Sequence, residues 1–155
     1  MQGDDLLAPW VCMTGNGAGP HDLGGRHERI ESFNRSPFAC LLGMEIIAAG
    51  PGWARVVMDP EGKGNPNLTI HGGAIFALAD QAFGIAANME DPPEVAVTAS
   101  IMYLSPAAGR LEAVAERVGE DARHSLYHVR VFEGDRLVAT FEGIGVKSSR
   151  EPRTP

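Results

Sequence analysis

GGAIFALADQAFGIAANM, residues 72–89, opens on two glycines, runs apolar for six residues and only then meets a charge, Asp80. Ala, Ile, Leu and Phe recur on nearly every face at helical spacing, which predicts a helix covered on most of its sides. Such a helix needs a layer to cover it. MEIIAAG (44–50) and WARVVMD (53–59) alternate around Pro51-Gly52 and read as a β-hairpin. Four further strand-like runs follow the helix: EVAVTASIMYLSPA (94–107), GRLEAVAERVG (109–119), SLYHVRVFEG (125–134) and RLVATFEGIGVK (136–147). Their joints, PAAG, GEDAR and EGD, read as tight turns, so the four runs predict a continuous antiparallel meander. One curved antiparallel sheet wrapped around a long central helix is the α+β arrangement that satisfies both patterns.

Upstream, HERIESFNRSPFACLLG (27–43) reads as helix broken before Pro37, with Ser36 placed to cap the second piece. DPEGKGNPNLTI (59–70) carries the Pro, Gly and Asn punctuation of a loop. Residues 1–26 are rich in Gly and Pro and read as a flexible extension, residues 27–147 as one domain, and residues 148–155 as a disordered tail.

Charge and composition exclude several functions. The net charge of −7 argues against a nucleic-acid partner, which needs a basic face. Two cysteines, Cys12 and Cys40, are too few for a disulfide framework, and no Cys/His spacing matches a metal site. The apolar run LLAPWVCM (6–13) follows Asp4 and Asp5, where a signal peptide carries positive charge. The apolar stretch around residues 72–89 is preceded by Pro66 and interrupted by glycines, so it is not a membrane span. A cytoplasmic protein without metal or membrane partner is the expectation. GNGAGP (15–20) lacks the strand and helix of a nucleotide loop, and EGKG (61–64) lacks the Ser or Thr of a phosphate-binding loop. His124 and His128, four apart in a strand, stand about 13 Å apart and cannot share one metal.

The glycines and the aspartate remain. At the first turn of a helix, Gly72-Gly73 leave backbone N–H groups uncrowded, with the positive end of the helix dipole behind them. Those donors suit an oxygen that is acquiring negative charge, such as a thioester carbonyl under attack. A carboxylate among Ile, Phe, Leu and Ala loses hydration, which suits a nucleophile or general base. Each feature also has a plain structural counterpart: a tight loop-to-helix turn, and a buried Asp held by hydrogen bonds, with Gln81 or Asn88 near. Eight residues separate Gly72 from Asp80, about 12 Å along a helix and about 80° around it. One chain cannot easily aim both at one carbonyl; two copies with antiparallel helices can, at a twofold interface.

The stretch NPNLTIHGGAIFALAD (65–80), Asn-x5-HGG-x6-Asp, resembles the signature of hotdog-fold acyl-CoA thioesterases of the phenylacetic-acid-degradation type. The similarity continues through FGIAAN (83–88), MYLSPA (102–107) and the last strand pair, covering residues 30–147. The resemblance implies a homodimer, usually paired into a homotetramer, that hydrolyses acyl-CoA thioesters with aryl or medium-chain acyl groups, without metal or cofactor. It makes Asp80 the nucleophile or general base and Gly72 N–H the donor to the thioester oxygen, with His71 and Asn65 shaping the loop or orienting the thioester. Gly73, Phe83 and Thr98 are candidate substrate contacts, and Arg123 a candidate for CoA phosphate. Two departures stand out. Gly84 replaces a polar helical residue found in some relatives, and Thr98 and Ser100 both compete for a hydroxyl position on the following strand. A non-catalytic acyl-CoA-binding protein of the same fold is the alternative; a hydratase or dehydratase fits HGG-x6-Asp less well.

Overall fold

The computed structural model describes residues 25–148; the flexible extension expected over residues 1–26 and the tail expected over 148–155 lie outside the described residues except for Gly25, Arg26 and Ser148. Two short helices come first, α1 (Arg26–Asn34) and α2 (Pro37–Leu41). The hairpin β1 (Met44–Gly50) and β2 (Trp53–Met58) follows, then α3 (Gly72–Asn88). Strands β3 (Glu94–Tyr103), β4 (Leu111–Glu120), β5 (His124–Glu133) and β6 (Arg136–Lys147) complete the chain. Pro37 sits in the first turn of α2 as expected, but the Ser36 hydroxyl makes no capping hydrogen bond there.

All six strands form one antiparallel sheet in the order β1-β2-β4-β5-β6-β3, and α3 touches every one of them. Alternation decides which side chains face the helix. Leu111, Ala113 and Ala115 of β4 and Tyr127, Val129 and Val131 of β5 are all fully buried. From α3 they meet Ile75, Leu78, Ala82, Phe83, Ile85 and Ala86. Small residues on the sheet bring the helix close: a Cβ on Gly143 would stand 2.8 Å from Phe83 Cε1. The Phe83 ring packs against Tyr127 and Phe141, with centroids 5.2 and 5.9 Å away. At the β1–β2 turn Gly52 adopts φ 75°, a conformation that suits glycine, and its carbonyl accepts from Arg117 N–H at 2.7 Å.

The strand order corrects the expected meander. β4, β5 and β6 do follow one another, but β3 pairs with β6 at the sheet edge and not with β4. The reason lies in residues 104–110, which form an extended crossover instead of a tight turn. Leu104 N–H donates to Val138 O at 2.9 Å, and Ile70 N–H donates to Ala107 O at 2.7 Å. Arg136 Nη1 donates to Ser105 Oγ at 2.7 Å and to Pro106 O at 2.8 Å. Glu133 accepts from the backbone of Ala108 and Gly109. These bonds carry the chain across the ends of β5 and β6 and leave the outer side of β3 without a strand partner among the described residues.

The far end of α3 is closed by side chains. Arg29, itself buried, donates to Asn88 O at 3.0 Å and to Asp91 at 2.9 Å, satisfying a terminal helix carbonyl. The Asn88 amide then pairs with both backbone groups of Glu94, at 3.2 and 3.0 Å, and turns the chain from α3 into β3. Asn88 is therefore spent on this turn and is not a partner of Asp80.

Candidate active site

The loop before α3 is organised by Asn65. Its Oδ1 accepts from Asn67 N–H and Thr69 N–H at 2.9 and 3.2 Å, and its Nδ2 donates to Thr69 Oγ1 at 2.8 Å. Asn65 N–H also donates to Thr69 O at 2.7 Å, closing a small ring of chain. One Nδ2 hydrogen of Asn65 remains for another acceptor. The loop then meets His71, whose N–H donates to Lys63 O at 2.7 Å.

His71 is the N-cap of α3, and its Nδ1 accepts from Gly73 N–H at 2.9 Å. An accepting Nδ1 leaves the proton of the neutral ring on Nε2. The His71 carbonyl accepts from Ala74 N–H at 2.9 Å and Ile75 N–H at 3.2 Å. With Gly73 N–H occupied by its own cap, Gly72 N–H is the first-turn amide without a hydrogen bond among the described residues. The two glycines are thus not equivalent: one amide is tied down and the other is free. A residue absent from the candidate set joins them. Tyr103, the last residue of β3, donates its hydroxyl hydrogen to Gly72 O at 2.9 Å. Tyr103 falls inside MYLSPA, yet nothing in that string points to a helix thirty-odd residues earlier.

Asp80 lies on the face of α3 shared with Gly73, Ala77 and Gly84, the face turned away from the sheet. It is exposed in the single chain and has no hydrogen bond or ion pair among the described residues. The sequence pattern suggested a buried carboxylate; the small residues around Asp80 leave it uncovered instead. Enough protein crowds it that desolvation still pushes its pKa above the ordinary value of 3.8. Among the described residues no group of three or more His, Cys, Asp or Glu is placed to hold a metal ion. No helix among them is long and apolar enough to cross a membrane.

A profile for a family described as a domain of unknown function, DUF4442, matches residues 33–136. A Deinococcus radiodurans protein is 36% identical over 121 residues, covering 76% of this chain and 82% of that one. The acyl-coenzyme A thioesterase PaaI of Escherichia coli is 32% identical over 106 residues, covering 66% of this chain and 76% of the relative. Among solved structures, a variant of the phenylacetic acid degradation protein PaaI from Thermus thermophilus superposes with a TM-score of 0.70 at 34% identity. That match covers 73% of this chain and 100% of the other. The chain belongs to the PaaI-like hotdog thioesterases.

Within this PaaI-like chain the remaining candidates scatter. Phe83 is 1% exposed and sits in the core against Tyr127 and Phe141. Thr98 is exposed on β3, directly after a bulge at Val97, and faces Ile144 of β6 in register. Arg123 is exposed in the β4–β5 turn, where its carbonyl accepts from Lys147 N–H at 2.8 Å. Lys147 pairs with Glu94, so Arg123 lies at the opposite end of β3 from Tyr103 and Gly72. That is about 30 Å along the strand. The structure brings together Asn65, His71, Gly72 and Gly73. It does not bring Arg123 or Phe83 to them.

Proposed function

We propose that this protein hydrolyses acyl-CoA thioesters to the free acid and CoA at a site completed by two copies of the chain. The observation that carries the reading is the free Gly72 N–H at the positive end of α3, on the same helix as a lone Asp80 with a raised pKa. Gly72 N–H receives the thioester oxygen, and charge on that oxygen grows as the carbon turns tetrahedral. Asp80 of the other copy takes a proton from water as hydroxide adds to the carbon, or itself adds to the carbon, in which case water hydrolyses the resulting mixed anhydride after the thiolate has left. The C–S bond then breaks, the electron pair leaves on the CoA sulfur, and the sulfur takes up a proton.

The separation of about 12 Å between Gly72 and Asp80 along one helix favours the shared arrangement. So does the edge of β3, where Val95, Val97, Met102 and Tyr103 are each 50% exposed or more beside an unpaired strand. Antiparallel pairing of two such edges also carries Arg123 of one copy toward the Gly72 end of the other. Relatives named for phenylacetic acid degradation point to an aryl acyl group such as phenylacetyl. Homotetramer formation, with two such dimers, follows the same reading.

The test is a panel of aryl- and fatty acyl-CoAs with thiol release as the readout. Asp80→Asn is expected to lower kcat at least about 100-fold while leaving fold and assembly intact. Binding without turnover by the wild-type protein would instead identify a non-catalytic acyl-CoA-binding protein. Co-expression of Asp80→Asn with a chain blocked at Gly72 places both lesions in one pocket of the mixed dimer. Its other pocket is then whole, and recovered activity is expected.

A further inference from the structure

We propose that Tyr103 is a positioning residue for the Gly72 amide. This deepens the thioesterase reading and rests on Gly72 N–H being the donor to the thioester oxygen. Two adjacent glycines are the least restrained dipeptide a chain can place at a helix start, so a donor carried there needs an external frame. The frame is built from both sides. The peptide unit joining Gly72 to Gly73 has its carbonyl bonded by the Tyr103 hydroxyl at 2.9 Å and its N–H bonded by His71 Nδ1 at 2.9 Å. The preceding peptide, which carries the Gly72 N–H, has its carbonyl held by the amides of Ala74 and Ile75. Between the two planes, the Tyr103 ring fills the space where a side chain would project: a Cβ on Gly72 would meet Tyr103 Cζ and Oη at 3.3 Å. The backbone polar groups of these two peptide units are therefore engaged except the Gly72 N–H, and the Gly72 Cα is backed by an aromatic ring.

Tyr103 is a rigid post for this purpose. Its backbone is in register with Ala139 of β6, and the next residue, Leu104, donates to Val138 O at 2.9 Å. The hydroxyl serves Gly72 O and leaves the Gly72 N–H unobstructed, so the tyrosine acts on the donor's direction and not on the substrate. Preorganised donors owe their effect in the transition state to being fixed before charge develops.

Tyr103→Phe keeps the ring and removes the hydrogen bond. The expected result is a fall of about tenfold in kcat for acyl-CoA hydrolysis, with KM within about twofold, an unchanged pH profile and an unchanged Tm. Amide hydrogen exchange at Gly73, whose peptide carbonyl Tyr103 holds, is expected to accelerate in the same variant, while exchange elsewhere in α3 stays as in wild type. Tyr103→Leu, which also removes the ring, should lower kcat further. Wild-type kcat in Tyr103→Phe, in a protein whose turnover Asp80→Asn abolishes, overturns the role of Tyr103 and leaves the thioesterase reading standing. A raised KM at unchanged kcat overturns it too, since it would mark a substrate contact. A kcat loss matched by a lower Tm and general amide exposure assigns Tyr103 to stability alone. No turnover by wild type on any acyl-CoA removes the thioesterase reading and this proposal with it.

Discussion

His71 Nδ1 and Gly73 N–H lie 2.9 Å apart, and that single bond decides which glycine amide of the turn stays available. The same side chain caps α3 through Nδ1 and carries a second ring nitrogen, Nε2, that a direct chemical role would use. His71→Ala removes both and is expected to cost about 1 kcal/mol in urea denaturation, the usual value of a lost N-cap. His71→Asn restores a capping acceptor and should recover that stability. If the rate of thioester hydrolysis recovers with it, His71 acts through the turn; if stability alone returns, Nε2 takes part directly.

Asp80 makes a second, pH-dependent prediction. Desolvation raises its pKa in the folded chain above 3.8, so the folded protein holds the proton to higher pH than the unfolded chain does. Between 3.8 and the raised value the folded state binds more protons, and stability contributed by this group falls as pH rises. At pH 7 the wild type carries a partly desolvated charge that has no hydrogen bond or ion pair among the described residues. Asp80→Asn should therefore be more stable than wild type near neutrality, with the gap closing as pH falls toward the ordinary carboxyl range. The measurement is the urea midpoint of both proteins across that range, and a gap independent of pH would contradict it. The acid limb of kcat/KM should likewise lie above the ordinary aspartate pKa and vanish in the variant.

These two residues belong to the part of the molecule that local pattern makes legible. α3 begins at the glycine pair and ends at Asn88 because apolar spacing and weak first-turn residues speak within one stretch, whereas the His71 cap shows only once the turn is folded. Most strand bounds follow for the same reason, since alternation is a local signal; β3, read to residue 107, stops at Tyr103, where the crossover begins. Strand order is different. β3 reaches β6 through bonds from Glu133, Arg136 and Ile70 to the crossover, and each joins residues more than twenty positions apart. Proximity in sequence favoured pairing of β3 with β4, and nothing local opposed it. Tyr103 was illegible for the same cause: its partner is Gly72, and only the assembled sheet brings the two together. The exposure of Asp80 escaped the pattern because Ala77 and Gly84 count as helix-compatible but are too small to cover a neighbour.

The crossover itself can be tested through Glu133. Its carboxylate accepts from Ala108 N–H at 2.8 Å and from Gly109 N–H, and it pairs with Arg136. The two backbone donors, ahead of the arginine, hold its pKa down at about 2 from the usual 4.5. A depressed acid pKa contributes stability that is complete above the unfolded value and is lost as pH falls toward the folded one. Glu133→Ala removes the acceptor of two amides that water can reach and is expected to cost about 0.5–1.5 kcal/mol at pH 7. The difference between wild type and variant should stay constant above pH 4.5 and shrink steadily as pH falls toward 2. Amide exchange should quicken at Ala108 and Gly109 first, because those are the groups released. A crossover held mainly by Ile70 and Val138 would instead keep its protection in the variant, and Glu133 would then be a surface ion pair of little consequence.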